Sequence, residues 1–194
     1  TFTRKIVTFI ENWYHWQVAK SNSSSNTTIL EIGAGSLNHI RYEKNFKRYD
    51  VIEPKEFLYK ASKEDDKVKI NSYYKTIDAI PSSQKYEKII SIAVLEHIEN
   101  LEDLFLKVDK LLSKNGIFVI AIPAEGEFLW WLGWRLTTAI SFWIKYKLDY
   151  GVIMRYEHKN NANKIIRLLS KYFIIKKIKS FALNIKNWRL YIHI

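Results

Sequence analysis

The chain contains no cysteine, only three prolines and only six glycines among its 194 residues. Disulfide scaffolds, thiolate-bound zinc, iron–sulfur clusters and cysteine nucleophiles are therefore excluded. The lack of cysteine favours a cytoplasmic protein, and we predict no metal site. Hydrophobic residues make up 47% and charged residues 26% of the chain, which is typical of a globular protein. The length fits a single domain over 1–194.

The sequence also lacks a clear membrane span. The longest apolar tract, 128–144, has 17 residues and contains Arg135, whereas a transmembrane helix needs about 20 mainly apolar residues. Four of the seven tryptophans lie in or beside this tract, at 130, 131, 134 and 143. The first residues show no secretory signal pattern and are typical of an amphipathic helix.

Acidic residues are absent from 158–194, which carries nine Lys and Arg residues. The net charge of +11 suggests a nucleic acid or an anionic membrane as partner. Most of that charge belongs to this C-terminal segment, so it does not describe the rest of the chain. Lys176, Lys177 and Lys179 fall on a predicted edge strand, where lysine discourages aggregation.

Strands and helices are predicted to alternate along the chain. The apolar runs predict strands at 29–32, 49–53, 67–70, 88–92, 117–122, 173–181 and 188–194. The helical spacings predict helices at 4–19, 37–46, 56–62, 101–112, 128–146 and 162–171. Asn161 is a predicted N-cap, and Gly116 is predicted to end the helix over 101–112.

This alternation predicts an α/β fold with a Rossmann-like, doubly wound, seven-stranded and mostly parallel sheet. Helices cover both faces, and an aromatic helical insert follows the fifth strand. The predicted parts are an N-terminal helix and loop (1–28), a ligand-binding core (29–123), the insert (124–157) and a C-terminal helix with strands (158–194). Ligands of such sheets bind beyond the carboxyl ends of the strands.

A glycine-rich turn follows the first predicted strand, in the order Glu31-Ile32-Gly33-Ala34-Gly35. The turn lacks the third glycine of the NAD fingerprint, because Asn38 stands there, and it is not a phosphate loop. Glu53 ends the second predicted strand, 22 residues after Glu31. A carboxylate at that position can accept hydrogen bonds from both hydroxyls of a ribose. A nucleotide-like ligand is therefore predicted, with a tight strand-to-helix turn that binds nothing as the alternative.

With these features the chain resembles the class I S-adenosylmethionine-dependent methyltransferases, of the type 11/12 kind. The matching segments are LEIGAGS (30–36), VIEP (51–54), YEKIISIAVLEHIENL (86–101) and LLSKNGIFVIAIP (111–123). The tail over 156–173 also resembles the family's segment of a histidine followed by a helix. One departure is Leu37, which stands where the family often has a third glycine.

The resemblance implies S-adenosyl-L-methionine as cofactor and a role for each matching residue. Glu31 and the backbone of Gly33, Ala34 and Gly35 would face its methionine moiety and ribose. Glu53 would bind the ribose hydroxyls, with Pro54 near the adenine. The remaining implied contacts are Asn71 and Ser72 beside the adenine, after the third strand, and Ser91, Ile92 and Ala93 at the methionine end.

Methyl transfer mainly requires alignment, and a base is needed only if the acceptor must lose a proton. Within the implied floor Leu95-Glu96-His97, His97 is the first candidate base because histidine titrates near neutral pH. His158 is the second. A structural role remains the alternative for each histidine. Tyr14 and His15 would reach the site only if the N-terminal helix closes over it.

The acceptor is predicted from the insert and the charge. Tryptophans with Arg135, Lys145, Lys147 and Arg155 suit a small-molecule or sugar- or lipid-linked acceptor, although these aromatic residues could instead pack into the core or a dimer interface. The basic tail allows contact with a peripheral membrane surface. The alternatives are an RNA methyltransferase and a non-catalytic cofactor-binding or scaffold protein with the same fold.

Overall fold

The computed structural model describes residues 2–21, 26–124, 158–182 and 189–193. The predicted aromatic insert therefore lies outside the described residues, apart from Ala124. The chain forms two compact units. The core unit comprises His15–Ile92 and Asp103–Ile120, and the terminal unit comprises Thr1–Tyr14, Ala93–Glu102 and Ala121–Ile194. Helix α1 (Phe2–Ala19) contributes residues to both.

The core unit contains the five-strand parallel sheet of a Rossmann-like α/β fold, in the order β3-β2-β1-β4-β5. Its strands are β1 (Thr27–Ile32), β2 (Phe46–Ile52), β3 (Ser72–Tyr74), β4 (Tyr86–Ile92) and β5 (Leu112–Pro123). Its short helices are α2 (Glu56–Lys60) and α3 (Glu64–Lys67). β1 and β4 bury almost every side chain, which explains their continuous apolar runs.

Helix α4 (Leu101–Leu111) leads directly into β5. It buries Leu104, Phe105 and Val108, a spacing that places the three side chains on one face of the helix. The Phe105 and Phe118 rings meet edge to face with centroids 6.2 Å apart. The helix predicted for this region is thus confirmed, and its apolar stripe packs against the strand that follows.

The terminal unit contains an antiparallel arrangement and one long helix. β7 (Arg189–His193) pairs with the end of β5, and β6 (Lys179–Ala182) pairs with β7. Helix α5 (Ala162–Tyr172) begins after Asn161, whose side chain accepts a hydrogen bond from the Lys164 backbone N–H at 2.9 Å. The helix predicted at 162–171 and its N-cap are therefore confirmed.

The helix predicted over 37–46 is wrong. The structure has a short 3₁₀ turn at His39–Arg41, and Leu37 and Asn45 adopt left-handed backbone angles of φ 60° and 58°. A left-handed residue breaks the right-handed helix on either side of the turn. The segment is instead held by buried side chains, including His39 and Ile40.

The third strand predicted at 67–70 is also wrong. β3 begins at Ser72, where it pairs with Asp50 of β2, while Lys67 ends α3 and Val68 is 80% exposed. The alternation of lysine with valine and isoleucine favoured a strand, but these residues lie at the end of a short helix and just after it. Asn71 begins the pairing instead, because its backbone N–H and side-chain oxygen bond the backbone of Tyr49 at 2.8 Å each.

Two smaller expectations also need correction. Gly116 does not cap α4, because it lies inside β5; a Cβ there would come within 2.9 Å of the Tyr86 carbonyl oxygen. The strand predicted over 173–181 is too long, since β6 begins at Lys179. Lys176 and Lys177 therefore precede the edge strand, and only Lys179 lies on it.

Candidate functional site

The glycine-rich turn forms at the carboxyl end of β1 in the core unit. The backbone N–H groups of Gly33 and Ala34 donate to the Ile52 carbonyl at 2.8 and 3.1 Å. Gly33 and Gly35 adopt positive φ angles of 73° and 52°, which glycine tolerates without strain. These bonds hold the turn against the end of β2, at the sheet edge where ligands of this fold bind.

Leu37, the departure from the family pattern, has a left-handed backbone at φ 60°. This angle favours glycine, so leucine keeps the geometry of the turn at some backbone strain. Its side chain is fully buried, and this burial offsets the strain. The turn therefore has the backbone conformation that a glycine would permit, and the buried side chain of Leu37 adds apolar packing.

Glu53 follows β2 and closes the turn. Its Oε2 accepts a hydrogen bond from the Gly35 N–H and its Oε1 one from the Lys55 N–H, both at 2.8 Å. The residue is 5% exposed. Each carboxylate oxygen has two acceptor positions, so both oxygens retain capacity for a ligand hydroxyl. The backbone bonds hold the group in one orientation.

Glu31 lies on β1 and is 4% exposed. The Tyr49 hydroxyl donates to its Oε2 at 2.7 Å. Burial raises the pKa of Glu31, while the nearby His39 and the bond from Tyr49 act in the opposite direction. Sequence reasoning named Glu31 as a ligand-facing acid but did not identify Tyr49 as its partner.

Ser91 and Ile92 end β4, beside the end of β1. Ser91 pairs in register with Ile32 and is fully buried. Among the described residues, its hydroxyl has no hydrogen-bond partner. Burying such a group without a partner is costly, so the Ser91 hydroxyl needs a ligand or a water. Pro54, after Glu53, is exposed.

Asn71 and Ser72 do not lie where they were expected. Ser72 is the first residue of β3 and Asn71 directly precedes it. Ser72 accepts a hydrogen bond from Arg48 at 3.1 Å. Because Tyr74 pairs with Ile52, Lys75 and Thr76 follow the carboxyl end of β3 at the edge that carries Glu53. The structure thus gives Asn71 and Ser72 a role in starting the strand.

In the terminal unit, the residues after β4 bring the two candidate bases together. Ala93 has a left-handed φ of 52° and its N–H donates to Ala121 at 2.8 Å. A 3₁₀ turn follows at Leu95–His97. The rings of His97 and His158 lie edge to face with centroids 4.6 Å apart. Two residues singled out separately in the sequence are therefore neighbours.

Asn160 explains that proximity, and sequence reasoning missed it. Its side-chain N–H₂ donates to the carbonyls of Leu95 at 3.0 Å and Ile98 at 2.6 Å. The backbone N–H groups of Lys159 and Asn160 donate to the Glu96 carbonyl. These bonds fix the segment that carries His158 against the turn that carries His97. The side chain is 2% exposed, but a lone asparagine before a helix carries no sequence signal for this contact.

His15 takes part in packing within the core unit. Its Nδ1 lies 3.0 Å from the Nδ1 of His39, and its ring stacks on Tyr42. Burial, with a smaller effect of His39, lowers the pKa of His15 to about 3, so it stays neutral at physiological pH. Tyr14 is buried. That Tyr14 and His15 reach the acceptor when the N-terminal helix closes over the site stays a prediction.

A second missed set is a buried ion pair. Lys88 Nζ donates to Glu43 Oε1 at 2.6 Å and to the Val18 carbonyl at 2.9 Å, and His39 Nε2 lies 2.9 Å from the same oxygen of Glu43. The lysine at the start of an otherwise apolar strand was the available signal, because a charge in a central parallel strand needs a buried partner.

The described residues fit an adenosine-containing cofactor. The glycine turn lies at a strand end, the oriented carboxylate of Glu53 retains acceptor positions, and the buried hydroxyl of Ser91 has no partner among the described residues. Within the described ranges, no cluster of three or more metal-ligating side chains occurs. In the same part of the chain, no helix has the length and apolar character needed to cross a membrane.

The chain is similar to known methyltransferases. A family described as "Methyltransferase domain" matches residues 10–149. The ubiquinone biosynthesis O-methyltransferase of Rickettsia bellii is 24% identical over 151 residues, covering 73% of this chain and 63% of that protein. The same enzyme of Rickettsia conorii is 26% identical over 140 residues, covering 70% and 48%. The chain thus spans less than two thirds of the length of these relatives.

Solved structures show the same fold. The N-methyltransferase NodS of Bradyrhizobium japonicum WM9 superposes with a TM-score of 0.65 at 18% identity, covering 94% of both chains. Its complex with S-adenosyl-L-homocysteine gives 0.63 at 16% identity, covering 94% of this chain and 85% of that one. The chain belongs to the methyltransferase domain family, as a class I S-adenosylmethionine-dependent member.

Proposed function

We propose that the protein transfers a methyl group from S-adenosyl-L-methionine to a small-molecule acceptor or to an acceptor linked to a sugar or a lipid. The observation that carries the proposal is the Glu53 carboxylate, which is buried and fixed by the Gly35 and Lys55 N–H groups at the edge where the glycine turn opens. Family membership supports the reaction class.

The proposed cofactor contacts lie in the core unit. Glu53 accepts the ribose hydroxyls, Pro54 lies by the adenine, and Glu31 serves the cationic methionine end. The backbone of Gly33, Ala34 and Gly35 lines the approach, with Ser91 and Ile92 completing the set. The position of β3 favours Lys75 and Thr76 over Asn71 and Ser72 beside the adenine.

The bound cofactor supplies an activated methyl group on a sulfonium, so the reaction needs alignment more than it needs activation. For an acceptor that carries a proton, we assign the base to His97, with His158 as its neighbour. The contact between the two rings lets His158 orient His97. This assignment predicts that His97→Gln lowers turnover of such an acceptor without changing cofactor affinity; unchanged turnover would make His97 structural.

The acceptor class rests on the relatives, whose names describe O- and N-methyltransferases, and on the aromatic composition of 124–157. The basic segment 158–194 is assigned to attraction toward an anionic acceptor or membrane surface. An RNA acceptor is favoured only by that charge. Binding to tRNA that weakens steeply with salt, together with methyl transfer to it, would replace the small-molecule acceptor.

Isothermal titration with S-adenosyl-L-homocysteine tests the proposal. The wild-type chain is expected to bind, and Glu53→Gln to bind more weakly by about 1–3 kcal/mol because ribose hydroxyls lose their acceptor. Glu64→Gln is the matched control, since Glu64 is an exposed carboxylate that pairs with Lys67 in the same short helix. No binding by the wild type at millimolar ligand would refute the proposal and favour a non-catalytic scaffold.

A further inference from the structure

A buried polar layer lies on one face of the core sheet, below the cofactor edge. Ile29 of β1 pairs with Tyr49 of β2 on one side and with Lys88 of β4 on the other. Paired residues of adjacent strands share a face, as do residues two apart in a strand. Tyr49, Lys88 and Glu31 therefore project to the same side of the sheet.

Within this layer Tyr49 is bonded directly to the acid that the proposed function assigns to the cofactor. Its hydroxyl donates to Glu31 Oε2 at 2.7 Å, and Tyr49 itself is fully buried. A carboxylate has about four acceptor positions on its two oxygens. The single bond from Tyr49 to Oε2 therefore leaves Glu31 with acceptor capacity for a ligand.

We propose that Tyr49 is a positioning residue for the methyl donor: by holding Glu31 Oε2, it directs Oε1 toward the donor's cationic methionine end. The proposal rests on the proposed function, in which Glu31 receives that end. A carboxylate held by one buried donor keeps a single orientation, and this lowers the entropy lost when the ligand binds.

The electrostatics around the pair support the same role. Burial and the neighbouring Glu31 raise the pKa of Tyr49 well above its ordinary value, so the phenol remains a donor throughout the working range of pH. Burial raises the pKa of Glu31, and so do Glu43 and Glu53; His39 and the Tyr49 bond lower it. Tyr49 therefore helps to keep a desolvated carboxylate ionised, the form a cationic ligand requires.

The chain offers a closely matched control. The Tyr86 hydroxyl donates to Asp50 Oδ2, also at 2.7 Å, and Tyr86 and Asp50 are fully buried in the same sheet. Tyr86 begins β4, at the end opposite to the cofactor edge. Tyr49→Phe and Tyr86→Phe each remove one phenolic hydroxyl from a buried carboxylate, but only the first touches Glu31.

The test measures S-adenosyl-L-homocysteine affinity by calorimetry from pH 5.5 to 8.5. We expect Tyr49→Phe to raise the Kd about three- to tenfold, the size of the net contribution of one ordinary hydrogen bond, and Tyr86→Phe to keep the wild-type Kd. In wild type, affinity falls as pH falls through the pKa of Glu31. In Tyr49→Phe that fall is expected at higher pH, because the hydrogen bond no longer favours the ionised acid.

Carboxyl ¹³C NMR of the ligand-free proteins gives a readout that does not depend on binding. The pKa of Glu31 should rise in Tyr49→Phe and stay unchanged in Tyr86→Phe. Wild-type binding with equal Kd and equal pH profiles in Tyr49→Phe would overturn the role of Tyr49 and leave the proposed function intact. Equal losses of affinity in both variants would also overturn it, as a general loss of stability. Absence of binding by the wild type would overturn both.

Discussion

Replacing Lys88 by methionine should strongly destabilise the protein. Methionine keeps the apolar stem, so the change removes mainly the ammonium group and its bonds to Glu43 and the Val18 carbonyl. The side chains of Lys88 and Glu43 are 1% and 4% exposed, so water cannot replace the lost partner. Leaving one member of a buried ion pair uncompensated costs about 3–5 kcal/mol.

The measurement is urea unfolding of Lys88→Met, Glu43→Gln and the double variant. In the double variant no charge is stranded, so it should be more stable than the sum of the single changes predicts, by about 1–3 kcal/mol. Lys107→Met is the control, since Lys107 pairs with Asp78 and Asp103 at the surface and should cost no more than about 1 kcal/mol.

A loss below about 1 kcal/mol for Lys88→Met would refute the reasoning, because the expected penalty for a stranded buried charge is several times larger. Strict additivity of the two single changes would refute it as well. Either result would mean that Glu43 is hydrated, is neutral, or is compensated by His39, whose Nε2 lies 2.9 Å from the same carboxylate oxygen.

Other positions give further tests by the same unfolding assay. The folded state keeps His15 neutral down to pH about 3, whereas unfolded histidine takes up a proton near pH 6.5; stability should therefore fall as pH drops through this window, by up to about 1.4 kcal/mol per pH unit. His15→Gln should flatten that slope, and an unchanged slope would contradict the assignment. Leu37→Gly should be more stable than Leu37→Ala by about 1 kcal/mol, because the left-handed backbone reverses the usual order; the usual order would argue against that backbone. Gly116→Ala should lose about 1–3 kcal/mol, because its Cβ meets the Tyr86 carbonyl at 2.9 Å; wild-type stability would disprove this contact. Asn160→Ala should lose about 1–3 kcal/mol by leaving the Leu95 and Ile98 carbonyls without their donor, and a neutral effect would mean that water replaces the amide.

Local sequence patterns predicted the helices and strands correctly where buried apolar residues recur at regular spacing. β1, β4 and α4 follow from apolar periodicity, and the N-cap of α5 follows from Asn161. Apolar spacing predicted a helix at 37–46 and a strand at 67–70, and both predictions were wrong. In these two segments the apolar spacing does not reflect one regular element. Left-handed residues break the first, and the second spans the end of a short helix.

The residues of the candidate site also differ in whether the sequence could predict them. Glu31, Gly33, Gly35 and Glu53 could be named from the sequence, because each belongs to a short segment with a fixed place at a strand end. The partners of these residues could not. Tyr49, Lys88 and Asn160 act on groups that lie 18, 45 and 65 residues away along the chain, and no local pattern specifies such a pairing.

By itself the sequence determined the class of fold, the cysteine-free chemistry, the glycine turn and the two strand-end acids, because these depend on residue type and short spacing. The tertiary structure decided what surrounds them. The segment after the glycine turn, where a helix was expected, is a loop with a short 3₁₀ turn and buried polar groups. β3 lies later in the chain than expected, so that Asn71 precedes it and Ser72 begins it. The tertiary structure also brought His97 beside His158. Hydrogen bonds and burial between distant segments set these features, since desolvated polar groups must find partners wherever the fold provides them.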